Sequence, residues 1–290
     1  MRHALTCALL TIGVLAQSAL AAGISVKDDT GELITLPQPA KRIISLAPHL
    51  TEQLFAIGAG SAIVGTTEFA DYPRKAKELP RVARAHHVDL ERISLARPDL
   101  IVLWGSGYPA TVHAALRRLG VPLFVSEPRH LQDVADSMRR LGALTAATQA
   151  HEAATDYEHQ LQALRKQYAG RRPLKVFYQV WPRPLMTVSG EHIISEAMAL
   201  CGGVNVFGSL NRLVPQIAEE AVLIAQPEVI MSAEPGGIDR GALKGWLRWP
   251  TLPAVQRQAL ITVNSDHLNR HGPRLLDGVK AMCEAFDAVR

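Results

Sequence analysis

The chain has 290 residues, of which 48% are hydrophobic and 20% are charged, so it can bury a large core and does not have the composition of a disordered protein. That length fits two domains or one large one. The net charge is +4, with acids and bases mixed along the chain, and no run of Lys and Arg predicts a nucleic-acid-binding surface.

The N-terminus has the three parts of a secretory signal peptide. A charged start precedes the apolar stretch Ala4 to Ala16, and the small residues at 19–22 offer a cleavage site. The apolar stretch is too short to span a membrane, and Cys7 lies too far before the cleavage site to carry a lipid anchor. We therefore expect residues 1–22 to direct export and the mature chain to begin near Gly23.

The first half of the mature chain alternates predicted strands with predicted helices. Residues 24–35 predict a short hairpin. The expected buried strands are 42–46, 62–65, 100–103 and 122–125, and the expected helices are 52–57, 90–96 and 110–119. Because the strand at 100–103 contains no polar residue, it fits a parallel sheet covered on both faces. The alternation predicts an α/β lobe over residues 23–128.

The middle of the chain predicts a long helix. Residues 131–169 contain no proline and are rich in residues that favour helices. One helix of this length would be about 55 Å long. It would connect two lobes rigidly over residues 129–170, and Gly142 is a position where it could bend or split. The alternative is a pair of antiparallel helices.

The last part of the chain predicts a second α/β lobe over residues 171–290. Its expected strands are 175–180, a short one near 205, 229–232 and 260–263, and its expected helices are 194–200, 218–225 and 273–289.

An internal repeat relates the two predicted lobes. The stretches 91–101 and 220–230 both begin with Glu, continue with Ala, Pro and an acid at the same spacings, and end in an apolar run. Upstream, the stretch 51–58 is matched in the same way by 195–202. We therefore predict two lobes built on one α/β plan, with a cleft between them in which a ligand binds.

The repeat places Glu91 and Glu220 at equivalent points, each at the start of a short predicted helix. Two interpretations are open. An acid at this position is favoured by the helix dipole, so capping alone would explain both residues. Two symmetric surface acids would also give a basic partner two docking points.

Two cysteines, Cys201 and Cys283, remain once the signal peptide is removed. In an oxidising compartment they suggest one disulfide, which would contribute about 4 kcal/mol in the chain-entropy model. Two buried free thiols are the alternative. A metal site is disfavoured because neither cysteine has a CxxC motif or a close histidine.

One motif raises the possibility of an enzyme. Residues Gly105 to Ala110 follow a predicted strand and fit the G-x-G-x-x-A fingerprint of dinucleotide-binding oxidoreductases, with Glu127 about 20 residues further on. Pro109 stiffens the turn that would bind phosphate, and export separates the chain from cytoplasmic cofactors. No hydrolase elbow, P-loop or zinc-protease motif is present.

Histidines and aromatic residues follow several predicted strands. With Asp266, three of the histidines could form a zinc or haem site, although their spacing is not diagnostic. The aromatic residues would face the crevice at the strand ends, where flat walls suit a large, partly apolar ligand, unless they are ordinary core residues. The histidines are His49, His86, His87, His267 and His271, and the aromatic residues are Phe69, Tyr72, Trp104 and Trp181.

Together these stretches resemble a known family over nearly the whole mature chain. The chain is similar to the periplasmic substrate-binding proteins of ABC importers whose two lobes are joined by a rigid helix, and among them to the cobalamin-binding members. The matching stretches are Arg42 to Pro48 with Thr51-Glu52, Ala70 to Pro73, Val88 to Ile93, Arg97 to Ile101, Cys201 to Gly203, and Ser265-Asp266 with Pro273-Arg274.

The resemblance implies a monomeric periplasmic binding protein, without enzymatic activity, cofactor or structural metal, in which lobe motion is limited to a few degrees. It implies that Glu91 and Glu220 dock onto arginines of an inner-membrane permease, and that Cys201 pairs with Cys283.

The resemblance also implies a set of ligand-binding residues. They are Phe69, Trp104, Asp266, His267, Leu268, Asn269 and Arg270. Ala85 and Val214 stand where the family has tryptophans, and Trp181 would compensate for these losses. The alternatives to cobalamin are therefore a related corrinoid, haem, an iron chelate such as a siderophore, or a metal.

Overall fold

The structure is a computed structural model that describes residues 23–84 and 87–290. The expected signal peptide, residues 1–22, lies outside the described residues, as do Ala85 and His86.

Strands and helices alternate along most of the chain, as the sequence predicts for the α/β class. The strands are β1 (Ile24–Lys27), β2 (Leu33–Leu36), β3 (Ile43–Ser45), β4 (Ile63–Thr67), β5 (Arg81–Arg84), β6 (His87–Val88), β7 (Leu100–Trp104), β8 (Leu123–Ser126), β9 (Leu174–Gln179), β10 (Trp181–Pro182), β11 (Leu185–Met186), β12 (Gly203–Asn205), β13 (Val229–Glu234) and β14 (Leu260–Asn264). The α-helices are α1 (Pro48–Ala56), α2 (Leu90–Leu95), α3 (Ala110–Arg117), α4 (Asp133–Thr145), α5 (Ala150–Tyr168), α6 (Ile193–Leu200), α7 (Glu219–Ala225), α8 (Pro253–Gln256), α9 (Ser265–Leu268) and α10 (Leu275–Val289).

Two separate sheets form the two lobes. The first has six strands in the order β6-β5-β4-β3-β7-β8, and its neighbours are parallel except for the β5–β6 pair. The second has four parallel strands in the order β12-β9-β13-β14. Small antiparallel pairs, β1–β2 and β10–β11, lie outside these sheets.

The strand order confirms that the two lobes share one plan. The first strand of each main sheet, β3 or β9, is flanked on one side by the next strand of the repeat, β4 or β12. On its other side lie the two later strands, β7 and β8 or β13 and β14. The strands β7 and β13 are each preceded by a helix, α2 or α7, that carries the repeated glutamate.

The core is continuous between the lobes. Because side chains alternate along a strand, Ile44 and Ile101 pack into a cluster on one face of the first sheet, whereas Ile43 and Val102 pack on the other. The cluster that contains Ile43 extends through α4 and α5 to Val176 in β9. The lobes are therefore joined by packed side chains as well as by the chain itself.

The single helix expected over residues 131–169 is wrong, since this segment forms the antiparallel pair α4 and α5. The chain reverses after α4 at Ala146, which has a left-handed φ of 51°. A Cβ atom at Gly142 would lie 2.2 Å from the Cβ of Ala150, so glycine allows the start of α5 to pack closely on α4. Further along, Arg139 of α4 pairs with Glu158 of α5.

The two helices attach to different lobes. Helix α4 packs against α1 and β1, and helix α5 packs against α6 and α10. With 19 residues, α5 is about 28 Å long. The stiff element between the lobes is therefore α5, supported by α4. Helix α5 is about half as long as the single helix expected from the sequence.

A disulfide joins Cys201, which ends α6, to Cys283 in the middle of α10, and both residues are fully buried. The pairing is the one that the resemblance implies. Among the described residues, no helix is both long and apolar enough to cross a bilayer.

Candidate functional site

A cavity of about 440 Å³ lies between the lobes. It is located at the ends of β7 in the first lobe and β9 in the second, at the carboxyl edge where open α/β sheets bind ligands. Its walls are mainly apolar. The lining residues are Trp104, Ser106, Tyr178, Val180, Val188, His192, Ile194, Leu213, Val214, Asn269 and His271.

Trp104 forms the first lobe's aromatic wall. Its indole packs edge-on against His49 and His271, with ring centroids 5.4 Å and 5.7 Å away. A Cβ atom at Gly107 would lie 2.6 Å from the indole, so the glycine is required by the packing of Trp104. The indole N–H is buried without a hydrogen-bond partner in the described part of the chain.

The turn that resembles a dinucleotide fingerprint has a different role. The backbone N–H of Ser106 donates to the carboxylate of Glu127, and the Ser106 hydroxyl donates to the same carboxylate at 3.1 Å. A phosphate would need these donors and would be repelled by Glu127. The oxidoreductase interpretation of Gly105 to Ala110 therefore finds no support in this geometry.

Three histidines meet beside Trp104. His49 comes from α1, His192 precedes α6, and His271 follows α9, and all three are buried. The His271 ring lies 6.0 Å from that of His49 and 5.5 Å from that of His192, between centroids. The sequence drew attention to His49 and His271 but not to His192, which joins them only in the folded chain.

Burial keeps this cluster neutral. Burial, and then the charge of Arg270, lowers the pKa of His49 to about 3. Burial, and then Arg129, lowers the pKa of His192 to about 4. The pKa of His271 falls well below its usual value through burial and the two other histidines. At neutral pH the cavity is therefore lined by uncharged imidazoles.

The tautomer of His192 follows from its capping role. Its Nδ1 accepts the backbone N–H of Ile194 at 3.2 Å at the start of α6, so in the neutral ring Nε2 carries the proton. Nδ1 of His271 and Nε2 of His49 are buried without partners among the described residues. The cluster thus retains unused hydrogen-bonding capacity next to the cavity.

The metal site suggested by the histidines is not assembled. Within residues 23–84 and 87–290, no group of three or more His, Cys, Asp or Glu side chains is placed to hold a metal ion. His87 is exposed in β6, and His267 is half-buried in α9 rather than part of the histidine cluster.

The stretch from Asp266 to Arg270 was expected on the ligand surface. Of its five residues, only Asn269 lines the cavity. Its side-chain oxygen accepts the hydroxyl of Tyr178 at 2.6 Å, so the two lobe-two residues hold each other in place. Leu268 is fully buried in the core. Asp266 is half-buried and pairs with Arg270 at 2.8 Å.

Arg270 and Arg274 belong to a charge network between the lobes. Glu52 of α1, whose side chain is only 2% exposed, accepts from Arg274 at 2.6 Å and from Arg270 at 3.2 Å. Arg270 also pairs with Asp71 at 2.6 Å, and Arg274 stacks on Tyr72 at 3.9 Å. Arg270 is thus engaged in holding the lobes together, rather than free at the rim of the cleft.

The two remaining aromatic candidates are exposed. Phe69 is 65% exposed and does not line the cavity, and its backbone has a left-handed φ of 65°. Such a backbone is uncommon outside glycine and is often found at functional positions. Trp181 is 58% exposed and lines a neighbouring cavity of about 540 Å³, which shares Val180 and Asn269 with the first.

Sequence reasoning missed several wall residues. Tyr178 could have been found, because it lies at the end of a predicted strand with a polar group to satisfy. Val188, Ile194 and Leu213 carry no such signal. Val214, which replaces an expected tryptophan, does line the cavity.

Residues 43–266 match the model of a family described as periplasmic binding protein. The chain belongs to this family. It is 41% identical over 256 residues to the vitamin B12-binding protein of Vibrio cholerae, a match that covers 88% of this chain and 92% of that protein. A vitamin B12-binding protein of Vibrio parahaemolyticus is 35% identical over 255 residues, covering 87% of this chain and 92% of that protein.

Solved structures agree with the two-lobed fold of this periplasmic binding protein. The crystal structure of the periplasmic vitamin B12-binding protein of Vibrio cholerae matches with a TM-score of 0.80 and 40% identity, covering 87% of this chain and 98% of that one. A periplasmic heme-binding protein from Roseiflexus matches with a TM-score of 0.75 and 25% identity, covering 87% and 100%. Proteins with this fold therefore include both vitamin B12-binding and heme-binding members.

The repeated acids of this periplasmic binding protein are surface residues. Glu91 lies in α2 and Glu220 in α7, both are exposed, and neither forms an ion pair with any of the described residues. The side-chain cap of α2 is Asp89, which accepts the N–H of Arg92. Helix α7 has no side-chain cap, so the two helices that carry the repeated acids begin differently.

Proposed function

We propose that this protein captures cobalamin or a related corrinoid in the periplasm and delivers it to an inner-membrane ABC importer. The observation that carries the proposal is the cavity between the lobes, with Trp104 on one wall and a mainly apolar wall opposite. This arrangement suits a large flat ligand. The 41% identity to a vitamin B12-binding protein selects the corrinoid among such ligands.

Each wall has a distinct part in binding. The apolar face of the corrin would lie against Trp104 and against Leu213 and Val214 of the other lobe. Ser106 and Asn269 supply polar groups for the amide-rich rim. Because the ligand extends beyond the cavity, the exposed rings of Phe69 and Trp181 would cover its outer parts, with Asp266 and His267 nearby.

The site is preformed. The buried pairs between Glu52 and the two arginines, Arg270 and Arg274, fix the lobes across the floor of the cleft. The hydrogen bond from Gln53 Nε2 to the carbonyl of His271, 3.1 Å long, adds a further link. Little free energy is then spent on closing the lobes, which favours tight binding.

Delivery would use the two exposed acids. Glu91 and Glu220 lie on equivalent helices of the two lobes and are free to pair with arginines of the permease. Exposed charges are screened by salt, so this docking should weaken as ionic strength rises. Uptake of cobalamin by cells that carry the double variant Glu91→Ala, Glu220→Ala should be impaired, and normal uptake would contradict this docking.

Calorimetric titration with cyanocobalamin tests the ligand. We expect binding near one to one at submicromolar strength, and a loss of affinity of about 30-fold or more in Trp104→Ala, since buried aromatic anchors are worth about 2 kcal/mol or more. Trp249→Ala is the matched control, because Trp249 lines none of the cavities described above and should retain full affinity. Equal binding by all three proteins would contradict the proposed site.

Haem is the second candidate, and the histidine cluster favours it. His271 lines the cavity as a neutral imidazole whose Nδ1 has no partner among the described residues, and imidazole is a common ligand of haem iron. Haemin titrated in parallel would distinguish the two. Haemin binding with a histidine-type visible spectrum that is lost in His271→Ala, together with no heat from cyanocobalamin, would assign haem as the ligand.

A further inference from the structure

Each of the two repeated helices carries an exposed apolar side chain one turn after its glutamate. Leu95 of α2 is 74% exposed, and Ile224 of α7 is 83% exposed. They lie four residues after Glu91 and Glu220 respectively, a spacing that puts both side chains of each pair on one face of the helix. We call Glu91 with Leu95, and Glu220 with Ile224, the two docking patches.

The two patches are held in the same way on their lobes. Ile93 and Val222, at equivalent points between the patch residues, are fully buried and anchor the helices. Both helices are followed by a residue in the left-handed conformation, with φ of 45° at Arg97 and 48° at Gln226. The correspondence therefore extends from the sequence to the backbone.

The acids that end the two repeats also match. The Asp99 carboxylate accepts the backbone N–H groups of Lys41 and Arg42, immediately before β3, the first strand of the six-stranded sheet. The Glu228 carboxylate accepts the backbone N–H of Lys175 in β9, which is the first strand of the second lobe. Each docking patch is thus fixed to the same place on its sheet.

A single exposed apolar residue needs no explanation. Leu33, for example, is 59% exposed on the β1–β2 hairpin, outside both copies of the repeat. Leu95 and Ile224 differ because the same chemistry is retained at both copies of the repeat. None of the four patch residues lines the cavity between the lobes, so ligand contact does not account for them.

We propose that Leu95 and Ile224 each enter an apolar pocket of the permease, beside the basic side chain that pairs with Glu91 or Glu220. This inference rests on the proposed function, because the partner is the importer. The unpaired carboxylates define the charge of the partner surface, and the duplication of the patch selects a partner that presents that surface twice.

The two parts of a patch contribute differently. An exposed ion pair adds little affinity and mainly accelerates and orients association. Burial of an isolated Leu or Ile side chain adds affinity that does not depend on ionic strength. Leu95 and Ile224 therefore supply much of the strength of docking, whereas Glu91 and Glu220 supply its dependence on salt.

The test measures binding of the mature protein to the cobalamin ABC importer of the same bacterium, purified and held in lipid nanodiscs, across a series of salt concentrations. For Leu95→Ser with Ile224→Ser, we expect a loss of affinity of about tenfold or more at every salt concentration. The control is Leu33→Ala with Val204→Ala, which replaces one exposed apolar residue in each lobe and should bind as the wild type does. Thermal melts and cyanocobalamin titration of each variant establish that folding and ligand binding are intact.

The Glu91→Ala, Glu220→Ala variant separates the two proposals. If it abolishes the salt dependence while the serine variant keeps the wild-type affinity, the apolar contact is overturned and the glutamate docking stands. If neither variant weakens binding, or if the wild type does not bind the importer, both docking ideas are wrong. Failure to bind cyanocobalamin would separately contradict the ligand assignment.

Discussion

The two lobes share a strand order but make unequal contributions to the cavity between them. The first lobe supplies Trp104 and Ser106, whereas the second lobe supplies the other nine lining residues. By contrast, α2 and α7 match in their exposed acid, exposed apolar residue and left-handed terminus. The repeat is thus retained on the helices that would meet a two-fold partner and has diverged at the strand ends that would meet an asymmetric ligand.

The same contrast exists within the first repeated helix pair. Glu52 in α1 and Glu196 in α6 are equivalent in sequence, but their side chains are 2% and 29% exposed. Glu52 spans the lobes to Arg274, whereas Glu196 pairs with Arg165 of α5 and accepts the N–H of Leu131. The two copies have therefore diverged, and only Glu52 in α1 forms part of the floor of the cleft between the lobes.

The largest expected effect comes from breaking this floor. Replacing Glu52 with Ala leaves Arg274 buried without its carboxylate, whereas Arg270 keeps Asp71 and Asp266. The free energy of unfolding should fall by about 3–5 kcal/mol. Glu196→Ala is the matched variant and should cost less, about 1–2 kcal/mol, because Arg165 remains accessible to water and only the N–H of the buried Leu131 loses its acceptor. Denaturant unfolding measures both, and equal losses would contradict the assigned difference between the copies.

The disulfide lies in the second lobe, and its removal should have the next largest effect on the free energy of unfolding. Cys201→Ala with Cys283→Ala should lower the free energy of unfolding by about 4 kcal/mol, since the link closes a loop of 82 residues. Denaturant unfolding of the oxidised protein and of this variant measures the loss. Unchanged stability in the variant would mean that the disulfide does not form in solution.

Lowering the pH should destabilise the folded protein through the histidine cluster. The pKa values of His49 and His192, about 3 and about 4, lie below the usual 6.5. At a pH between these lowered values and 6.5, the unfolded state therefore binds more protons than the folded state. Stability is complete above pH 6.5 and falls as the pH drops towards 4. Each buried histidine should cost about 1.4 kcal/mol for each pH unit below 6.5.

Unfolding measured across this pH range should show a shallower fall in His49→Gln than in the wild type. The exposed His151 provides the control, and His151→Gln should follow the wild-type curve. Parallel curves for the wild type and His49→Gln would contradict the neutral, buried state of the cluster.

The smallest expected effect tests whether the docking helices really match. Arg97→Gly and Gln226→Gly relieve the left-handed conformation at the two equivalent termini, and each should stabilise the protein by about 0.5 kcal/mol. The two thermal unfolding shifts should be equal in sign and size. A gain at one position and a loss at the other would weaken the equivalence of the patches.

Much of the fold could be predicted because its signals are local. The fully apolar run at 100–103 marks β7, and the repeated pattern at Glu91 and Glu220 predicts two lobes of one plan. The end of α4 could not be predicted, because Ala146 and Ala147 favour helix and the reversal depends on the close packing of Gly142 with Ala150.

The site was harder to predict because it is assembled from distant parts of the chain. Trp104 could be placed at a strand end from its sequence context alone. The ion pair of Arg270 could not be predicted, since its partner Glu52 lies 218 residues earlier. His192 was missed for the same reason, because only the folded chain brings it to His271.

The most direct test of the central claim is a crystal structure of the mature protein with cyanocobalamin. The account predicts the corrin ring between the lobes, with one face on Trp104 and the other on Leu213 and Val214, and no reorganisation of the pair between Glu52 and Arg274. A corrin bound elsewhere on the protein, or an empty cleft at saturating cyanocobalamin, would contradict it.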